Sequence, residues 1–236
     1  EPVGLLALGC AALVFAGGFN IYRHHTTDSE RYAIKSVVPT MAAADWWASG
    51  WQQLPGRRID LTGEVEEPLT FQWAGSLQHL QDILLRKSWR ASAAWGPSST
   101  LTWFTGSADP ADLPVVPSLA GGRFASLTLV RPYGATAPAG SRLVLRLWAV
   151  DMELTNGQVS PLWVGSVVVE RADHPLSLFT LTWTQPDMNA PRSALAAALD
   201  GGRLVSRASG SAEADWDGHI LLAREPASAQ GRSLGH

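Results

Sequence analysis

SRLVLRLWAV, residues 141–150, alternates without a break. Leu143, Leu145 and Leu147 leave one face of a strand, and Arg142, Val144, Arg146 and Trp148 leave the other, because successive strand side chains point to opposite sides. PLWVGSVVVER, residues 161–171, reads as a second strand with a continuous apolar run. The intervening DMELTNGQVS holds Asn156-Gly157, the strongest short signal for a hairpin turn. The two strands are expected to pair antiparallel, with a long or ragged tip.

Outward from this hairpin the chain mixes strands and helices. RFASLTLVR (123–131), SLFTLTW (177–183) and DGHILLARE (217–225) read as strands, PLTFQWAG (68–75) as a short one, and LTWFT (101–105) as a further candidate. DPADLPVVPS (109–118) reads as an extended connection ruled by proline. In LQHLQDILLRKSW (77–89), Leu77, Leu80, Leu84 and Lys87 form one stripe with Ile83 beside it, which predicts a helix with Ser76 as N-cap and His79 on its polar side. A second helix is expected from Asn189 as cap, with Pro191 in an early position, through RSALAAALD to Gly201-Gly202. Hairpins in mixed order with two main helices predict an α+β domain with a mixed or antiparallel sheet. Its expected limits are residues 56–225, followed by a flexible tail over 226–236.

Ahead of the domain, residues 2–22 (PVGLLALGCAALVFAGGFNIY) carry no charge. A bilayer core needs about 20 apolar residues, so residues 1–22 are expected to form one transmembrane helix. A signal peptide's apolar region is shorter, about 7–15 residues. The chain opens on Glu1 without a Met and reads as part of something longer. Arg23, Arg31 and Lys35 follow the apolar run, which predicts a cytoplasmic location for what comes after it. Residues 23–55 are expected to be a juxtamembrane linker. Its cluster Trp46, Trp47 and Trp51 either lies at the membrane interface, where Trp is favoured, or packs on the domain.

Composition narrows the function classes. Net charge is −3, with 16 Arg and 2 Lys and no basic block, so a nucleic-acid partner is not expected. Cys10 is the single cysteine, which excludes intrachain disulfides and Cys-based metal sites. Phosphate-cradling glycine loops, HExxH and GxSxG are absent, and no cofactor is expected. His24-His25 reads as an interfacial pair, His174 beside Asp173 as a strand-end turn, and Glu64, Glu66 and Glu67 as a solvated loop. One constellation stands out. Arg142 and Arg146 share a strand face, and Glu170 on the partner strand lies on the side of Val164, Ser166 and Val168. These three either form a cross-strand ion cluster or, flanked by Trp148 and Trp163, bind an anionic group such as a phosphate headgroup.

The blocks GRRIDLTGEVEEPLTFQWAGSLQHLQDILLRKSWR, LPVVPSLAGGRFASLTLVR, SRLVLRLW and PLWVGSVVVER, in this order and spacing, resemble the LssY C-terminal domain over roughly residues 50–225. The resemblance implies a bacterial domain without accepted catalytic residues that often follows a membrane portion of the DedA or phosphatidic-acid-phosphatase type 2 kind. Residues 1–22 would then be the last helix of such a portion in a bacterial inner membrane. The lipid-phosphatase signature itself is missing: Phe124 stands where Arg131-Pro132 would need a Lys, Trp148 where Ser141-Arg142 would need a His, and Ser-Gly-His does not occur. Phosphatase machinery, if the parent protein has it, is expected upstream of Glu1. The leading expectation is a non-catalytic, membrane-tethered module that binds a ligand or partner or regulates the membrane portion of its own chain. The alternatives are an enzyme of unrecognised type acting on lipid-linked phosphate, and an assembly domain of an envelope or secretion complex.

Overall fold

In the computed structural model, residues 38–96, 99, 103, 109–133, 140–156, 159–174, 180–207 and 213–226 are described. In chain order their elements are β1 (Thr40–Ala42), α1 (Ala43–Ala48), β2 (Arg57–Ile59), β3 (Val65–Pro68), β4 (Phe71–Ala74), α2 (Leu77–Leu85), β5 (Arg90–Ala91), β6 (Leu119–Ala120), β7 (Arg123–Phe124), β8 (Leu127–Pro132), β9 (Ser141–Thr155), β10 (Val159–Asp173), β11 (Leu181–Thr184), α3 (Asn189–Ala196), β12 (Arg203–Ser206) and β13 (His219–Arg224). The protein is α+β, with a mixed sheet and two main helices, α2 and α3.

The central hairpin forms and is longer than its two sequence motifs. β9 and β10 have 15 residues each, and pairing runs from Ser141 opposite Arg171 to Thr155 opposite Val159. The tip is therefore short rather than long or ragged; Gly157 of the expected turn lies outside the described residues. The ladder shifts register between Pro161 and Trp163, where a residue without an N–H is tolerated. The length lets each strand serve two neighbours on its outer edge. β9 carries β8 along Arg142–Leu147 and β1 along Glu153–Thr155. β10 carries β4 along Leu162–Gly165 and β11 along Glu170–Asp173. The main path is β12-β13-β4-β10-β9-β8-β5, and β1/β9 and β13/β4 are the parallel pairs.

Both faces of the sheet are covered, which explains why β10 reads as an unbroken apolar run. On one face, Phe71, Trp73, Leu143, Leu145, Leu147 and Val167 pack under Leu80 and Leu84 of α2 and Leu195 of α3. On the other, Val144, Trp148, Val164 and Val168 lie under the short helix α1 with Trp46, a 3-10 turn with Trp51, and irregular chain that contributes Leu54 and Val115. Trp46 is fully buried, with its indole N–H donating to Gln72 Oε1 at 3.0 Å, while the Gln72 amide donates to the Trp51 carbonyl. Trp46 and Trp51 thus belong to the domain core and not to a membrane interface. The compact unit begins at Pro39.

Other expectations shift locally. α2 stops at Leu85, short of residue 89, because the chain turns back through Ser88 at φ 66° and buries Trp89 against the helix end. Ser76 holds the N-cap position without a side-chain bond; its backbone N–H instead donates to Glu225 at 2.9 Å. At α3 the capping carboxylate is Asp187, which accepts from the N–H of Asn189 at 2.8 Å, and Asn189 is the first helical residue. Residues 123–131 divide into β7, which pairs with β6, and β8. The β2–β3 hairpin, β1 and β12 were not expected. The apolar run 2–22, the tail from 227 and most of LTWFT lie outside the described residues. Among the described residues no helix is long and apolar enough to cross a membrane.

Candidate anion-binding site

Register sets Arg142 opposite Glu170 and Arg146 opposite Ser166 on the face away from the helices. Arg142 is fully buried. Its Nε and Nη2 donate to Glu170 Oε2 at 3.0 and 2.7 Å, and its Nη1 donates to the carbonyls of Pro110 and Leu113 at 2.6 and 2.5 Å. Those carbonyls come from a short 3-10 turn, Pro110–Asp112, and the residue that follows it, and Asp109 caps the turn by accepting the Ala111 N–H. A flat, forked guanidinium suits this multiple engagement. Arg146, 7% exposed, donates from Nη2 to Glu170 Oε1 at 2.7 Å. Its Nε is buried without a partner. One carboxylate therefore bridges two guanidiniums, Arg142 is saturated, and Arg146 is not. A buried charge with an unmet donor is costly.

A second ion pair borders this cluster. Arg58 Nε and Nη2 both donate to Glu67 Oε2 at 2.8 Å, and the Ser166 hydroxyl reaches Glu67 Oε1 at 3.4 Å. Glu67 is thus a largely buried partner on β3 and not part of a solvated loop. Arg58 also donates to the Leu119 carbonyl, which ties β2 to β6.

Arg146 faces two hollows. One, of about 310 Å³, is lined by Arg58, Glu66, Glu67, Arg146 and Glu170, so its charges alternate in sign. The other, of about 230 Å³, is lined by Ser92, Trp95, Ser118, Phe124 and Thr128, and among the described residues Arg146 is the only charged one lining it. Trp148 shares the face of the arginines but walls a third hollow of about 370 Å³ with Leu54, Ile59 and Met152, and its N–H donates to the Ser118 carbonyl. Trp163 stands on the opposite, helix-covered face, in register with Trp73, and donates to the Gly75 carbonyl at 2.9 Å. The structure thus brings Arg142, Arg146 and Glu170 together, puts Trp148 beyond them, and separates Trp163, whose odd position in β10 sends it to the far side from Glu170.

Elsewhere the chemistry is structural. The Asp173 carboxylate accepts the backbone N–H of His174, while the His174 ring meets the Thr180 hydroxyl, so the two do not form an acid–base pair. Asp60, Glu64 and Glu66 bring three carboxylates together, but Asp60 Oδ1 already accepts from Thr62 and Glu64. Sequence reading missed Arg58, Glu67, Trp95, Phe124 and the proline-loop carbonyls. Arg58 and Glu67 face each other across a hairpin whose turn, Asp60–Gly63, could have been recognised. Nothing in the local pattern marks Trp95 or Phe124.

The profile of the protein family described as LssY C-terminus matches residues 51–216. No curated protein and no solved structure matches the chain significantly.

Proposed function

The chain belongs to the LssY C-terminal domain family, and we propose that it acts as a non-catalytic module that binds an anionic group at Arg146. Residues 2–22 tether it to the bacterial inner membrane on the cytoplasmic side, and it regulates a lipid-phosphate-handling membrane portion of the same chain. The observation that carries the binding reading is Arg146, nine-tenths buried, with an unpartnered Nε and two hollows beside it. An oxyanion in either hollow would meet the part of the Arg146 side chain that lines it and balance the second positive charge, a charge-assisted contact of the strong kind. Among the described residues, neither hollow is lined by a His, Lys or Cys, which favours binding over turnover. The charge-free run at 2–22 and the basic residues after it support the tether and its sidedness.

Titration of the full chain with inorganic phosphate, followed by calorimetry, tests the binding reading. Saturable binding that Arg146→Lys weakens at least tenfold, without release of product from glycerol phosphate, is the expected result. Absence of binding, or hydrolysis abolished by Arg146→Lys, overturns it. Ultracentrifugation after lysis without detergent tests the tether: the chain is expected in the membrane pellet.

A further inference from the structure

Resting on the anion reading at Arg146, we infer that the natural ligand is an oxyanion carried on a planar ring, held in the hollow between Trp95 and Phe124. The two hollows beside Arg146 differ in what surrounds the guanidinium. In the mixed-charge one, Glu66, Glu67 and Glu170 line the walls with Arg58, so besides Arg146 an incoming anion meets three carboxylates and one further cation. In the smaller one no carboxylate lines the wall among the described residues. Coulomb repulsion at a few ångströms is substantial in partly buried sites, so the anion belongs on the second side. There the hydroxyl-bearing side chains of Ser92, Ser118 and Thr128 stand with Arg146, the usual company of a bound oxyanion.

The aromatic walls identify the rest of the ligand. Phe124 is 65% exposed and Trp95 47% exposed, both at this hollow. Aromatic rings lining a hollow beside a few convergent polar groups are the usual make-up of a small-ligand site. Trp95 is not loose: its N–H donates to the Val115 carbonyl at 2.7 Å, and its ring stacks on Trp103 with centroids 6.3 Å apart and planes 14° apart. A fixed, half-exposed indole gives a flat apolar wall. Size agrees, since a cavity of about 150 Å³ holds one benzene ring. The hollow of about 230 Å³ therefore accommodates one ring and its anionic substituent.

Three probes on the full chain separate this from simple anion binding: inorganic phosphate, hexyl phosphate and phenyl phosphate. Phenyl phosphate is expected to bind about tenfold more tightly than inorganic phosphate and several-fold more tightly than hexyl phosphate, as ring stacking adds to the charge contact. Phe124→Ala and Trp95→Ala should bring phenyl phosphate down to about the affinity of inorganic phosphate. Glu66→Gln should alter neither. Equal binding of hexyl and phenyl phosphate, indifference to the two aromatic substitutions, or tightening of phenyl phosphate by Glu66→Gln overturns the ring assignment while the anion reading stands. Failure of all three probes to bind overturns both.

Discussion

The two faces of the central sheet are made from the same strands and finished in different ways. Against α2 and α3, the odd residues of β9 and β10 meet helix side chains in an apolar layer. On the other face, the even residues include Arg142, Arg146, Ser166 and Glu170, all buried, under irregular chain. Helices satisfy their own backbone polar groups and leave side chains free to pack. Irregular chain does not, and its carbonyls need donors. Arg142 provides them to Pro110 and Leu113. The polarity of this face follows from its covering, and the surplus guanidinium of Arg146 is what remains after that need is met.

Substitutions can break this contrast, starting with the severest. Glu170→Gln leaves Arg142 and Arg146 buried without a counter-charge, and should lower stability by about 3–5 kcal/mol in urea unfolding. Leu145→Ala, fully buried on the apolar face, should cost about 2–5 kcal/mol through lost contacts and a cavity; unlike Glu170→Gln, its effect should hardly vary with salt. Gly165→Ala tests the spine common to both faces. An added Cβ would meet the Arg146 carbonyl at 2.6 Å, and about 1–3 kcal/mol of overpacking is expected.

A smaller effect belongs to Asp217, which accepts two bonds from buried Arg192. Those bonds, then the His219 N–H and the Arg192 charge, hold its carboxyl far below the usual carboxylate range against the opposing effect of burial. A depressed folded value stabilises the protein above the unfolded carboxylate range, and the contribution is lost as pH falls from there. Asp217→Asn should flatten that acid-side loss in thermal melts at successive pH values. Last comes Arg123→Ala at the rim. Its ion pair with Asp151 is exposed on both sides, and a change within about 0.5 kcal/mol is expected.

The apolar face was easier to read than the polar one. Alternation in β9 and a helical stripe at Leu77, Leu80 and Leu84 are periodic signals, and periodic signals survive without knowledge of partners. The pairing of Arg142, Arg146 and Glu170 was legible for the same reason, since parity and register place them together. Trp163 lies in the same strand as Glu170 but at the opposite parity, and parity rather than shared strand decides which side chains meet. Trp46 and Trp51 were ambiguous because an indole suits a membrane boundary and a core equally well. Only the distant Gln72 decides between them. The strap formed by β2, β3 and residues 118–121 escaped notice because its contacts are ion pairs and carbonyl bonds, which leave no period.

The pairing of β1 with the far end of β9 has a consequence for how the chain is made. Thr40 meets Glu153, and Phe71 meets Leu221. At a ribosomal pace of about 5–20 residues per second, each early strand waits on the order of ten seconds for its partner to emerge. Until then Trp46 and Trp51 have no place to go, and the nascent polypeptide exposes them to whatever is nearby. Closure so late and between such remote segments makes for slow folding, and it sets a premium on chaperone attendance during translation.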